Sequence, residues 1–493
     1  MGLINYIRGV FRSMINFQTI QHAEKVDTPL SAEMQSALQE WSNMYRNKAS
    51  WLSDNVKSLN LPAFISSEIA RQILLEANWS ITSKDSQGET MTEEGEPQTS
   101  PRSEYLAAEF EKLMIVLRQK LEQACAGGGM IIKPYKVGAH LYFDFVMAWD
   151  IFPIAFDDEG NLSDVILPDY YTDGKSFYTR LERHTLNYND DGSIDVLVTQ
   201  KAYKSSTDQT LGKPISLKEV DKWKDLEEQL IAKNTGGQLF GWFKVAAANT
   251  IDVNSCMGAS VFAKAKDVIK QADIQYSRML WEFEGSELAI EVDPTAMLPH
   301  KNKRGEPIVP KLNERLFRKL DISRGDDEMY EVFSPAIRDV NLINGLNQIL
   351  QKVEDLSGLS RGTLSDANNV DARTATELKI VKQRSYATIA DNQKALERTL
   401  KDVLRVMAYY STLYGMAPEG EYDVSFDWDD SILVDSETRL SELITLSNLG
   451  VVSKQQLREW YFNETPAQAK AALEIVSGEQ DADFEREYGP RDE

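Results

Sequence analysis

Apolar residues recur at spacings of three and four in several parts of the chain, and this pattern predicts α-helices. In the first quarter it predicts helices over residues 31–46, 62–77 and 104–124. In the second half it predicts helices over Gly258–Glu284, Pro335–Leu356 and Ala372–Tyr414, and further helices within 436–478 that break at Gly450. The last of the long helices would span roughly 60 Å, which exceeds the width of a small domain. Helices of this length need packing partners along their whole length, so the pattern indicates an assembly rather than a compact enzyme.

The stretch after Met130 instead alternates apolar and polar residues, with β-branched and aromatic side chains around turns rich in Asp, Asn and Gly. This is the pattern of antiparallel hairpins. It predicts strand pairs 130–136 with 140–146, 151–156 with 162–167, and 176–188 with 193–203. Residues 204–235 are charged and predict an exposed segment of helix and loop. The chain combines these predicted helices and strands, and its predicted fold class is α+β.

Three consecutive glycines, Gly127 to Gly129, separate the helix over 104–124 from the first hairpin. A phosphate-binding loop would need a strand before the glycines and Lys followed by Ser or Thr after them. Here a helix precedes and Met130 follows. The glycines therefore predict a helix end and a turn into a strand.

Acidic residues dominate the composition. The 493 residues carry a net charge of −23, with 42% hydrophobic and 27% charged residues. Proteins that hold DNA through many phosphate contacts present basic surfaces, so this balance argues against a tight DNA clamp.

Candidate metal, disulfide and membrane features are sparse. Two cysteines cannot form a disulfide framework, and the four histidines do not form a zinc motif. No run of eighteen apolar residues occurs, so no membrane span is expected. The apolar start, Met1 to Arg8, is interpreted as an amphipathic helix that docks on its own protein or a neighbour, in preference to a membrane-surface helix. No cofactor or metal is expected.

Two charge clusters are candidate sites. Five aspartates between Asp423 and Asp435 resemble the carboxylates of a two-metal nuclease, but no His or Lys pattern accompanies them. Residues 300–319 carry a local excess of positive charge in this acidic chain. Their basic residues indicate a solvated β-excursion or a partner for acidic neighbours, or else a docking surface for another protein or a place that touches passing phosphates. The seven basic residues are Lys301, Lys303, Arg304, Lys311, Arg315, Arg318 and Lys319.

The order of these parts resembles a phage portal protein, in particular the siphophage-type portals of the branch found in phages of Gram-positive bacteria. No single segment is a catalytic motif; the likeness lies in their order and spacing. The segments that carry it are Trp41–Asn60, Ala124–Pro134, Arg361–Ser365, Ala372–Glu377 and Asp427–Ile432.

The resemblance implies a portal fold with a mixed α/β wing, a two-helix stem, a small β-containing clip, a long helix and a helical C-terminal crown region. The expected boundaries are 1–257 for the wing, 258–285 and 334–357 for the stem helices, 286–333 for the clip, 358–371 for a tunnel loop, 372–435 for the long helix and a wing return strand, and 436–493 for the crown region.

The resemblance also implies a function. The chain would form a ring, typically of twelve subunits, at one capsid vertex, and would be the channel for packaging and ejection of double-stranded DNA. Expected partners are the terminase large subunit, the major capsid and scaffolding proteins, and a head-completion connector protein, with no membrane. The protein would reside in the virion after assembly in the host cytoplasm. The tunnel-loop residues expected to face DNA are Ser360, Arg361, Thr363, Asn368 and Asn369.

Two alternatives stand beside this interpretation. A different ring-forming head or tail adaptor would lack an insertion between two helices. An enzyme acting on nucleic acid would use the aspartate cluster with divalent metal. The resemblance implies that the chain is not an enzyme, and the packaging ATPase is expected to be a separate chain because no Walker motif is present.

Overall fold

The computed structural model has mixed α+β architecture, as the sequence predicted. It forms two units, Met1–Phe426 and Asp427–Glu493. The residues that it describes are 17–75, 77–84, 98–174, 176–208, 210–292, 300–301, 303–305, 307–308, 317–319, 330–366, 375–428, 436–462 and, within 469–476, three residue pairs.

Nine α-helices lie in the described residues. Their bounds are Phe17–Glu24 (α1), Ala32–Tyr45 (α2), Leu61–Leu74 (α3), Pro101–Gly127 (α4), Lys266–Gly285 (α5), Asp339–Ser357 (α6), Ala375–Leu413 (α7), Ser436–Asn448 (α8) and Lys454–Phe462 (α9). Local sequence explains several starts. Ser31 accepts a hydrogen bond from the Met34 amide at the start of α2, and Ser100 and Ser103 cap α4 reciprocally.

Sixteen strands accompany them in the same part of the chain. Their bounds are Ala77–Ser83 (β1), Gly129–Val137 (β2), His140–Met147 (β3), Phe152–Phe156 (β4), Leu162–Asp173 (β5), Ser176–Tyr188 (β6), Ile194–Ser205 (β7), Lys213–Ile215 (β8), Gln229–Ala232 (β9), Gly241–Lys244 (β10), Ala289–Val292 (β11), His300–Lys301 (β12), Pro307–Ile308 (β13), Phe317–Lys319 (β14), Tyr330–Phe333 (β15) and Tyr422–Trp428 (β16).

The three predicted hairpins are confirmed. Strands β2 and β3 pair antiparallel, and β10 joins them to form the order β10-β2-β3. The other two hairpins merge into one antiparallel sheet of order β4-β5-β6-β7-β8, with β9 also on β7. They merge because β5 continues to Asp173 and pairs with β6 along its length.

A buried ionic cluster connects these two sheets. Lys133 on β2 donates to both carboxylate oxygens of Glu182 on β6, at 2.8 and 2.9 Å. The same carboxylate contacts Arg180 at 3.0 Å and His184 at 2.7 Å. Burial alone would raise the pKa of Glu182, but these partners outweigh it and hold the pKa well below its ordinary value. Removal of Glu182 would leave the buried Lys133 ammonium without the carboxylate that it contacts.

The three glycines end α4 and admit close neighbours, as the helix-end interpretation requires. Gly128 is the C-terminal cap of α4 with φ of +92°, a conformation that side chains disfavour. A Cβ on Gly127 would lie 2.7 Å from the Trp149 ring, and one on Gly129 would lie 2.5 Å from the Phe243 carbonyl. A Cβ on Gly128 would lie 2.5 Å from the backbone oxygen of Gly258. Each glycine thus meets a different packed neighbour.

Three sequence-based predictions are wrong in detail. The helix predicted from Gly258 begins at Lys266, because the backbone of 258–262 is held against the end of α4 through the hydrogen bond from the Val261 amide to the Cys125 carbonyl. The helix predicted from Pro335 begins at Asp339, because Glu282 binds both the side chain and the amide of Arg338.

The third error concerns 204–235. The described residues of this segment, which are all but residue 209, hold strands β8 and β9 and a short 3₁₀ turn, and no α-helix. The reason is burial of Trp223, Leu217 and Val220 with Ala202 of β7, which ties the segment to the sheet.

The second unit is described by helices α8 and α9. The predicted break at Gly450 is confirmed, since α8 ends at Asn448 and Gly450 has φ of +73°. Ser453 and Gln456 then exchange hydrogen bonds at the start of α9. In the described part of the chain, no helix is long and apolar enough to cross a membrane.

Candidate functional site

The antiparallel helices α5 and α6 carry the candidate site. At one end, the Glu282 carboxylate accepts two hydrogen bonds from the Arg338 guanidinium, at 3.0 and 2.7 Å, and one from the Arg338 amide at 3.3 Å. These hydrogen bonds lower the pKa of Glu282 and raise the pKa of Arg338. Further along, Gln275 lies against Gly345. The contacts fix the direction and register of the pair.

Helix α5 is also attached to the connector between α2 and α3. The Asp273 carboxylate, which is buried, accepts hydrogen bonds from the Trp51 indole at 2.9 Å and the Leu59 amide at 2.8 Å. Burial raises the pKa of Asp273 despite these hydrogen bonds. The aromatic-rich connector therefore serves to hold α5.

Large apolar side chains are exposed where α5 ends and α6 begins. Trp281 is 66% exposed and Val340 is 62% exposed, and Phe283 and Ile343 are also exposed. Leu346 and Val353, further along α6, are buried. The apolar face predicted for α6 is thus covered by the chain at one end only.

The loop that follows α6 folds back onto the last turn of that helix. Gly358 caps α6 with φ of +76°. The Glu354 carboxylate, 0% exposed, then accepts hydrogen bonds from three backbone amides, those of Gly362, Leu364 and Ser365, at 2.5–3.1 Å. Its second oxygen accepts the Ser365 hydroxyl at 2.9 Å. One carboxylate therefore organises the described part of the loop.

The neighbouring acid, Asp355, holds the cation of this loop. The Arg361 guanidinium donates to both Asp355 oxygens, at 3.0 and 2.8 Å. The hydrogen bonds and the charge of Asp355 raise the pKa of Arg361. Arg361 remains at the surface, but its charge is matched within the chain.

The remaining predicted loop residues divide into two groups. Ser360 and Thr363 are half-buried, and the Ser360 carbonyl accepts the Thr363 hydroxyl at 2.6 Å. Asn368 and Asn369 lie outside the described residues. The structure thus brings Ser360, Arg361 and Thr363 together beside two acids that sequence reasoning did not single out. The signal was present: two consecutive acids at the C-terminal end of a helix oppose the helix dipole and need compensating donors.

Helix α7 is 39 residues long, about 58 Å. Gly358 packs against Thr388, and the Thr399 hydroxyl donates to the Trp242 carbonyl of β10 at 3.0 Å. Arg405 donates to the carbonyls of Thr235 and Gln238. The fully buried residues Leu396, Leu400, Val403, Leu404 and Met407 face the interior of this chain. For the C-terminal half of α7, the packing partners that a helix of this length needs are therefore supplied by the chain itself.

The segment between α5 and α6 contains a three-stranded sheet of order β14-β11-β15 and the hairpin β12-β13. Lys303 and Arg304 are exposed in the turn of that hairpin. The backbones of Lys301, Arg318 and Lys319 lie in β12 and β14, whereas Lys311 and Arg315 lie outside the described residues.

The acidic candidates give no metal centre among the residues that are described, since no three His, Cys, Asp or Glu side chains there are grouped to hold an ion. Asp423 and Asp427 lie on β16. Asp429, Asp430 and Asp435 lie outside the described residues.

Comparison with known proteins identifies a family. No curated protein sequence matches the chain significantly. A family profile described as phage portal protein, SPP1 Gp6-like, matches residues 36–482 of the 493. Because this match covers most of the chain, from α2 to beyond α9, the chain belongs to the phage portal protein family of the SPP1 Gp6-like type.

Proposed function

We propose that twelve copies of this chain form a ring at one capsid vertex, and that the ring is the channel for packaging and ejection of double-stranded DNA. Family membership makes the chain a phage capsid component. The ring would dock the terminase large subunit during packaging and the head-completion connector protein afterwards. It would contact the major capsid and scaffolding proteins, and it would assemble in the host cytoplasm. Its role would be structural, without catalysis.

The observation that carries this proposal is the exposed apolar end of the α5–α6 pair. Trp281, Phe283, Val340 and Ile343 face solvent in the single chain, although Glu282 and Arg338 hold the two helices firmly together. Exposed apolar side chains of this size at one end of a helix pair are typical of interaction surfaces. A head-to-tail contact repeated around an axis closes into a ring and covers such a surface in every subunit.

The proposed function also assigns the helices and strands to the expected portal domains. Helices α5 and α6 correspond to the proposed stem, and the sheets β10-β2-β3 and β4-to-β8 to the proposed wing. The small sheet of β11, β14 and β15 corresponds to the proposed clip, whose basic residues, including Lys303 and Arg304, would meet the packaging and connector proteins. Residues 358–371 would be the tunnel loop, and 436–493 the crown region.

The charge of the chain supports a conduit rather than a clamp. With a net charge of −23 per subunit, a ring repels phosphates over most of its surface. DNA that must slide in either direction needs few persistent phosphate contacts, because each one adds affinity.

The test is the oligomeric state of the purified full-length chain, by mass photometry and negative-stain electron microscopy. We expect rings of about twelve subunits with a central opening. Val340→Asp should abolish them, because it places a charge in the proposed contact. An acidic residue in the first turn of a helix suits the helix dipole, so α6 itself should still form.

The matched control is Val253→Asp, at an 86% exposed position outside the helix pair, which should still form rings. A wild-type protein that is monomeric under all solution conditions would contradict the proposal. Rings that persist in Val340→Asp would contradict the assignment of the contact.

A further inference from the structure

The loop after α6 contains two elements that ordinarily bind phosphate. One is the set of backbone amides of Gly362, Leu364 and Ser365, which converge on a single point. Converging amides of this kind form anion-binding concavities. The other is the Arg361 guanidinium, whose planar fork matches phosphate oxygens in pairs.

Both elements are occupied by acids of the same chain. The Glu354 carboxylate fills the amide concavity, and the Asp355 carboxylate fills the guanidinium fork with two hydrogen bonds. The two acids are adjacent in the last turn of α6, where the helix dipole disfavours negative charge. Their position is thus explained by the loop that they bind, not by the helix that carries them.

We propose that Glu354 and Asp355 act as internal substitutes for phosphate, which keep the loop from gripping the DNA that passes it. The inference rests on the proposed function, because it takes DNA as the polyanion that meets the loop. The loop keeps a defined conformation through these contacts and presents matched charge. Without Asp355, every subunit would offer an uncompensated guanidinium to the DNA backbone, and without Glu354 the loop amides would lack the acceptor that holds them in place.

The main test is tighter DNA binding by Asp355→Asn. The full-length protein is titrated with a fluorescent duplex of about 20 base pairs, at salt concentrations between about 50 and 200 mM. Asp355→Asn should bind more tightly than wild type, and the slope of log K against log salt should steepen by about 0.9 for each additional phosphate that the protein neutralises. Between those salt concentrations the variant should therefore lose about 3-fold more affinity per additional phosphate.

Two further variants make this result specific. Asp339→Asn changes the charge of the same helix equally but lies at its other end, and it should give no comparable increase in affinity. The double variant Asp355→Asn with Arg361→Gln should lose the increase. The inference is overturned if Asp355→Asn binds no better than Asp339→Asn, or if the double variant keeps the increase.

A second test addresses Glu354 without DNA. In Glu354→Ala, hydrogen exchange of the peptide over 359–366 should accelerate, and inorganic phosphate should restore its protection, whereas chloride at equal ionic strength should not. Wild type should show no response to phosphate. Absence of phosphate rescue in a folded Glu354→Ala protein overturns the anion-substitute role of this residue.

The outcomes also separate this inference from the proposed function. Ring formation is measured on the same samples, and its absence counts against the proposed function alone. If Asp355→Asn forms rings of normal size but binds DNA no more tightly than wild type, the result counts against the internal substitutes alone.

Discussion

The contact between Gly128 and Gly258 joins the end of α4 to the segment that leads into α5, and it is open to a quantitative test. Gly128→Ala should destabilise the chain through two separate costs. The φ of +92° is unfavourable for any side chain, at about 1–2 kcal/mol. The new Cβ would also lie 2.5 Å from the oxygen and 2.8 Å from the carbon of the Gly258 carbonyl. Backbone atoms cannot swing away as a side chain does, so overpacking adds about 1–3 kcal/mol.

The expected total for Gly128→Ala is about 2–5 kcal/mol. Gly138→Ala is the control, because Gly138 has φ of +65° with no atom within 4 Å of the added Cβ. It should lose only the conformational part. Gly258 has no positive φ, so Gly258→Ala tests the steric cost alone, because its Cβ would collide with the Gly128 carbonyl oxygen.

The assay is urea unfolding followed by circular dichroism, at one protein concentration so that assembly affects all variants equally. Hydrogen exchange then localises the loss, which should include the amide of Val261, bound to the Cys125 carbonyl at 3.1 Å. Equal midpoints for Gly128→Ala and Gly138→Ala would refute the reasoning, since the close approach would then have no steric cost.

Three further predictions concern charge and packing. Burial alone would raise the pKa of Glu109, but hydrogen bonds with Lys112, His140 and the Leu141 amide outweigh it and lower the pKa from 4.5. The free energy of unfolding lost in Glu109→Gln should therefore be largest at pH 7 and shrink as pH falls below about 4.5, as measured by urea unfolding. Burial raises the pKa of Asp150 from 3.8 to about 6, so wild-type stability should fall as pH rises through that range. Asp150→Asn should accordingly exceed wild type by about 1–3 kcal/mol at pH 8 and match it below pH 3.8; an equal increase at both pH values would contradict this. Leu400→Ala, at a fully buried position, should cost about 2–5 kcal/mol in the same assay, whereas the exposed Leu413→Ala should stay within about 0.5.

Sequence reasoning succeeded where the determinants were local. The turns between strands, the helix end at Gly128 and the break at Gly450 follow from residues that set their own backbone geometry. It failed where a distant residue decided the outcome. Helix α6 starts late because Glu282, far away in sequence, engages Arg338. Likewise, burial of Trp223 against β7 turned a charged segment into strands.

The candidate site shows the same division. Arg361 is identifiable from its place in a polar loop, but its charge balance depends on how the loop folds over the end of α6. That fold requires Glu354 to be buried, which no local pattern announces. The predicted cation, Arg361, is therefore paired with Asp355. The neighbouring acid, Glu354, has the stronger structural role because it binds the loop backbone.

The ion pair between Glu282 and Arg338 has a consequence for how the sequence of this protein can vary. The chain leaves the helix pair just after Glu282 and returns at Arg338, and the ion pair closes that opening on the helix side. Residues 287–337 are therefore an insertion whose two ends are held together by this ion pair. Substitutions, insertions or exchange of the whole segment by recombination need not disturb the register of α5 and α6. Under the proposed function, changes in the proteins that dock on this insert can be matched by changes in the insert alone, while the helices remain under a separate constraint.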